Sequence, residues 1–159
     1  MKTLIIGYGS PIRGDDALGP LAADRLENRS LPTGVEVISR HILTAELVAD
    51  IADKDRVIFL DAAADSAPGT VRCRRLEPDA RAVSTMAHFL DPRELLAWCE
   101  TLYGRVPETC LVTAAGDSFD YDNYRLTPIA EAALDRMLDW VDRLMTQEGW
   151  TALSADGHP

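Results

Sequence analysis

A short aliphatic run, Leu4-Ile5-Ile6, empties into the glycine-rich stretch Gly7-Tyr8-Gly9-Ser10-Pro11-Ile12-Arg13-Gly14-Asp15-Asp16, and a helical pattern of apolar residues follows. A buried strand that turns through glycine into a helix is the opening unit of an α/β sheet. Glycine-rich loops at such strand ends usually hold anions, because backbone N–H groups and the helix dipole point at them. This loop carries two adjacent carboxylates instead, so it repels a phosphate and attracts a cation. The spacing from Gly7-x-Gly9 to Gly14 is not GxGxxG, Pro11 stands where a dinucleotide-binding helix should begin, and no Gly-Lys-Ser/Thr is present. Metal chemistry is the better direction.

The rest of the chain repeats the opening alternation. Residues 17–28 read as a helix with Leu18, Leu21, Ala22 and Leu26 on one face, and 35–38 as a second strand after the Pro32/Gly34 turn. Thr44 is placed to cap a short helix reaching about Ala52. Residues 56–60 form a third apolar strand with Asp61 at its C-terminal end. In 70–76, Val71 and Cys73 alternate with Arg72 and Arg74, the pattern of an edge strand with one solvated face. Asp91-Pro92-Arg93-Glu94 supplies a cap, a first-turn proline and an N3 carboxylate for a helix that stops at Gly104. A strand over 109–113 and a long helix opening at Thr127-Pro128 complete the pattern. The predicted architecture is a three-layer α/β/α sandwich around a mostly parallel twisted sheet with one antiparallel edge strand. A single domain is expected over 1–146, with 147–159 fraying as a C-terminal tail.

Composition excludes several classes of function. At 159 residues one domain is expected. The formal charge is −10, and the one local basic cluster is Arg72, Arg74 and Arg75, so nucleic acid is not an expected partner. No apolar run approaches the ~20 residues that span a bilayer, and the start is too short in apolar residues for a secretory signal. Three cysteines, Cys73, Cys99 and Cys110, are odd in number and form no CxxC pair. They read as small apolar residues in a reducing compartment, so a cytoplasmic location is expected.

In a sheet of this type the functional crevice lies beyond the C-terminal ends of the parallel strands. Asp15 and Asp16 fall there after the first strand, and Asp61 after the third. Helix capping accounts for one carboxylate of the pair but hardly for two beside three glycines, and a lone Asp61 is as easily a turn former. His88, just before the capped helix at Asp91, and His41, on the same predicted rim, are the candidate imidazoles. Two carboxylates and one imidazole make a site for a divalent ion such as Ni, Zn, Fe or Mn, able to polarise a carbonyl or activate water. Ser10 lacks a G-x-S-x-G elbow and no HExxH helix is present. The acidic run 117–122 lacks the glycine and terminal glutamate of an EF-hand and reads as a solvated loop.

Three of these elements, in this order, resemble the hydrogenase maturation proteases, the endopeptidases that finish the large subunit of nickel–iron hydrogenases. The resemblance runs over roughly residues 3 to 145. Its elements are Gly7-x-Gly9-Ser10-x-x-x-x-Asp15-Asp16-x-x-Gly19, the strand ending Leu60-Asp61-Ala62 with Pro68-Gly69 beyond it, and His88-Phe89-Leu90-Asp91-Pro92. Ser10 stands where the family usually has Asn, Ala17 where Gly is common, and Asp16 where some members have Glu. The segment from Val35 to Leu47 looks like the variant with His or Gln before Leu-Thr/Ser, which leaves His41 the weaker candidate.

The resemblance implies that Asp16, Asp61 and His88 are both the nickel-contacting and the catalytic trio, which leaves Asp15 to cap or orient the helix behind it. It implies a substrate that is a large-subunit precursor with nickel already bound, cut once to release a C-terminal peptide. The nickel belongs to that substrate and is not held permanently. A monomer is expected. The residues alone also admit a metal-dependent hydrolase of a small substrate, or a non-catalytic assembly chaperone.

Overall fold

The structure is a computed structural model that describes residues 1–81, 90–120 and 125–150. Five strands form one sheet in the order β2-β1-β3-β5-β4. They are β1 (Thr3–Tyr8), β2 (Val35–Arg40), β3 (Arg56–Ala63), β4 (Val71–Arg75) and β5 (Glu108–Ala115). β1 pairs in parallel with β2 and β3, and β3 pairs in parallel with β5. Only β4 runs antiparallel, against β5 at the edge, as its alternating pattern predicts. The helices are α1 (Leu18–Glu27), α2 (Leu47–Ala52), α3 (Pro92–Tyr103) and α4 (Pro128–Thr146).

The two faces of each buried strand feed separate cores, because successive strand side chains point to opposite sides. Ile5, Ile58, Leu60, Cys110 and Val112 pack with α1 and α4. Leu4, Ile6, Val57, Phe59 and Leu111 pack with α2 and α3. This is the three-layer sandwich expected from the sequence. The cysteines are buried and free, Cys73 and Cys110 in the first core and Cys99 in the second.

Capping marks the helices that the sequence located well. The Asp91 side chain accepts from the Arg93 N–H at 2.8 Å, and α3 stops at Gly104 in the left-handed conformation, φ 70°. Thr127 caps α4 by accepting from the Ala130 N–H at 3.3 Å. Thr44 does not cap α2. Its hydroxyl donates to Glu46, and the helix begins only at Leu47, two residues later than expected. The helix expected over 17–28 is α1, and a 3-10 turn at Gly14–Ala17 leads into it.

The expected fraying after Gln147 does not hold for the first four residues of that segment. Trp150 is fully buried, and its indole N–H donates to the Leu144 carbonyl at 3.0 Å. Arg56, itself buried, anchors the same segment by donating to the carbonyls of Gln147 and Glu148, with its guanidinium 4.7 Å from the Trp150 ring. A tryptophan with few apolar neighbours in sequence gives no periodic signal, so its burial was not legible. The rest of the expected tail, 151–159, lies outside the described residues.

No helix among the described residues is long and apolar enough to cross a membrane.

Candidate functional site

The chain passes from β1 outward to β2, then crosses back to β3 on the other side of β1. That reversal opens a crevice above the C-terminal ends of β1 and β3, the place where ligands bind in open α/β sheets. The loop after β1 and the end of β3 meet there. The glycines at 7 and 19 let them do so. A Cβ on Gly7 would collide with the Gly19 carbonyl oxygen, and one on Gly19 would strike the carbonyls of Tyr8 and Leu60. The start of α1 therefore lies directly on the strand ends.

The two adjacent carboxylates of the loop do different work. Asp16 is half-buried, and its Oδ2 accepts the Ser10 N–H at 2.9 Å, which holds the loop closed. Gly9, at φ 142°, passes against the backbone of Asp16 where no side chain would fit. Asp15 points the other way and is fully buried. It accepts from the backbone N–H groups of Asp117 (2.8 Å), Ser118 (3.1 Å) and Thr127 (2.9 Å), and from the Thr127 hydroxyl (2.8 Å). Burial alone would raise its pKa, but these hydrogen bonds outweigh it and hold the carboxyl below the usual value of 3.8. Asp15 thus does not orient the helix behind it by capping. It organises the loop between β5 and α4 and, through Thr127, the start of α4. The run from Asp117, read as a solvated loop, is pinned from below at its first two residues.

Asp61 sits near the end of β3, on the face shared by Tyr8, Phe59 and Leu111. Its Oδ1 accepts the Ala62 N–H at 2.8 Å, and the Tyr8 hydroxyl donates to it. Burial is the main reason its pKa rises from 3.8 to about 7. The Tyr8 and Ala62 hydrogen bonds oppose the rise, while the nearby charges of Asp16 and Asp91 add to it. Tyr8 is itself pushed up, first by burial and then by the Asp61 charge. Tyr8→Phe is expected to move the Asp61 midpoint above about 7, because it removes a hydrogen bond that favours the carboxylate. Carbon-13 NMR of the labelled carboxyl reads this directly, and an unchanged or lower midpoint contradicts the assignment.

Asp61 and Tyr8 lie at one end of a cleft of about 910 Å³ on the α2/α3 side of the sheet. Thr113, the cationic strand β4, Asp91 and the first turn of α3 form its walls. Asp16 and Asp61 lie near enough for the charge of Asp16 to raise the pKa of Asp61. His88 lies outside the described residues. His41 is exposed one residue past β2 and does not line the cleft. Among the described residues no group of three or more His, Cys, Asp or Glu side chains is gathered for a metal. Tyr8 and Asp91 were missed as site residues. Extending the alternation Leu4, Ile6, Tyr8 would have placed the phenol on the cleft face, whereas Asp91 read only as a cap.

No protein-family model matches the chain. It is similar to the hydrogenase 2 maturation protease of Escherichia coli, 27% identical over 161 residues that take in 96% of each protein. Among solved structures it is similar to the E. coli hydrogenase maturating endopeptidase HybD, with TM-score 0.81, 28% identity and 94% of both chains covered. It is also similar to the hydrogenase 2 maturation peptidase of a Thaumarchaeota archaeon, with TM-score 0.70, 26% identity, and 93% of this chain and all of that one covered. These likenesses extend from the glycine turn to α4 and take in the whole sandwich on which the acidic crevice is built. In sequence and in fold the chain is similar to the hydrogenase maturation proteases.

Proposed function

We propose that this protein is the endopeptidase that removes the C-terminal extension from the nickel-loaded large-subunit precursor of a nickel–iron hydrogenase. The observation that carries the reading is the meeting of Asp16 and Asp61, from two different strand ends, in a switch-point crevice that opens into a cleft large enough for polypeptide. Asp16, Asp61 and His88 complete the coordination of nickel that arrives bound to the precursor. A site that must accept an already coordinated ion needs few ligands and open positions.

Hydrolysis adds water across the scissile C–N bond, oxygen to the carbonyl carbon and a proton to the departing nitrogen. Asp61, with a pKa of about 7, is suited to hold that proton in between. The protein acts as a monomer in the cytoplasm. Its buried, unpaired cysteines suit a reducing compartment.

The test is incubation of purified protein with a large-subunit precursor, with and without nickel, read by intact mass. A single cut in the nickel-loaded form alone is the expected result. Equal cutting without nickel removes the recognition step. Stoichiometric metal retained through purification favours a hydrolase with a resident ion instead.

A further inference from the structure

Arg72, Arg74, Arg75, Arg81 and Arg93 all line the cleft, in a chain whose formal charge is −10. Three of them are answered by acids close by. Arg75 pairs with Glu77 at 3.5 Å, Arg81 with Asp79 at 3.7 Å, and Arg93 with Asp91 at 3.1 Å. The side chains of Arg72 and Arg74 make neither an ion pair nor a hydrogen bond among the described residues. An exposed arginine is ordinarily just solvated, so position must decide whether these two mean more.

Strand register gives that position. Asp61 stands opposite Thr113 of β5, and Thr113 stands opposite Arg72 of β4. Phe59, Leu111 and Arg74 make up the neighbouring row. Residues in one row share a face. Phe59 and Leu111 lie on the α2/α3 side, so Asp61, Arg72 and Arg74 face that side too. Arg72 is two strand spacings from Asp61, about 10 Å, which an extended peptide covers in about three residues. The cleft is therefore bipolar. Asp61, with Asp16 close by, makes one end acidic, and the β4 wall offers two guanidinium groups with no acid paired to them among the described residues.

We infer that Arg72 and Arg74 form a subsite for an Asp or Glu side chain of the protein substrate, about three residues along the chain from the bond held at Asp16 and Asp61. This rests on the endopeptidase reading. Guanidinium groups are the side chains best matched to a carboxylate, through paired N–H donors. A cation bound at one end and an anion at the other also fix the direction in which the substrate lies.

The test pairs the double variant R72Q/R74Q with a nickel-loaded precursor in which every Asp and Glu within five residues of the cut is changed to its amide. Both arginines are exposed on an edge strand, and circular dichroism checks that the variant keeps its fold. Each change alone is expected to raise KM about tenfold with kcat nearly constant, and the two together to raise it no further. Unchanged KM in the double variant, or effects that multiply, overturns the subsite.

A labelled nonapeptide from the cut region and its amide analogue, bound to the intact protein, supply a readout without hydrolysis. The acidic peptide is expected to bind about tenfold tighter than the analogue, and to lose that margin in R72Q/R74Q. Equal binding of the two peptides, or no binding, also overturns it. Acid-selective binding without any cleavage sinks the endopeptidase reading and leaves the subsite standing. Cleavage without acid selectivity does the reverse.

Discussion

Asp61→Asn is expected to leave the precursor uncut, at least about 10³-fold slower than wild type, while making the folded protein more stable at pH 8. On the proposed function, loss of activity follows from removing a carboxylate that faces the nickel and holds the proton in transit. The gain in stability follows from linkage. Burial raises the Asp61 carboxyl from 3.8 to about 7, so the folded state holds a proton that the unfolded chain has released. The stability it contributes is full below about pH 4, falls as pH rises, and is gone above about pH 7. At pH 8 the native protein carries an unfavourable ionised group that asparagine lacks. The span from 3.8 to about 7, at about 1.4 kcal/mol per pH unit, sets an upper bound near 4 kcal/mol. Partial solvent access at the cleft end brings the expected gain to the order of 2 kcal/mol. Urea melts at pH 5 and pH 8 check both parts: the variant should gain at pH 8 and much less at pH 5. An active Asp61→Asn protein removes the residue from the chemistry.

Asp15→Ala is expected to destabilise the protein by about 3–5 kcal/mol, although Asp15 does not take part in the cut. Truncation strands three backbone N–H groups and the Thr127 hydroxyl beneath the loop between β5 and α4. It also removes the partner that steadies the cap of the longest helix. Asp15→Asn keeps the shape and one acceptor oxygen, and should cost less than the alanine variant. Because the hydrogen bonds hold the folded pKa below 3.8, the contribution of Asp15 is present above that value and disappears as pH falls through the folded one. Thermal melts at pH 7 and pH 3 should show a large gap between wild type and Asp15→Ala at pH 7 and a narrower one at pH 3. A melt like wild type at pH 7 contradicts the assignment.

Asp15 and Asp61 therefore pull stability in opposite directions with pH, and sequence could not have told Asp15 from its neighbour Asp16. The adjacency of Asp15 and Asp16 advertised a carboxylate site. Which carboxylate faces the crevice depends on a 3-10 turn, set by contacts with a loop more than 100 residues away. The strands were easier. Residues 57–60 are continuously apolar because both sides of β3 are covered, and Arg72/Arg74 alternate with Cys73 because β4 is an edge. Asp61 was legible as the first polar residue after a buried strand. Tyr8 and Asp91 were not, since their part in the site comes from lying near Asp61 in the folded chain rather than from any local pattern. The Arg56 clamp on Gln147 and Glu148 was hidden for the same reason: an arginine opening a strand reads as surface until its distant partners are known.

The place of β3 in the sheet bears on when the crevice comes into being. β3 is held by β1 on one side and β5 on the other, and both ladders are parallel. Thr3 pairs with Arg56, and Arg56 with Glu108, so each ladder closes a loop of more than 50 residues before it gains its hydrogen bonds. Loop closure of that length is entropically costly, and long-range parallel pairing is slow to form. Asp16 and Asp61 meet only once the β1–β3 ladder has zipped. A nascent or half-folded chain therefore has no paired carboxylates with which to collect stray divalent ions. On the proposed function, competence for metal arrives together with the fold.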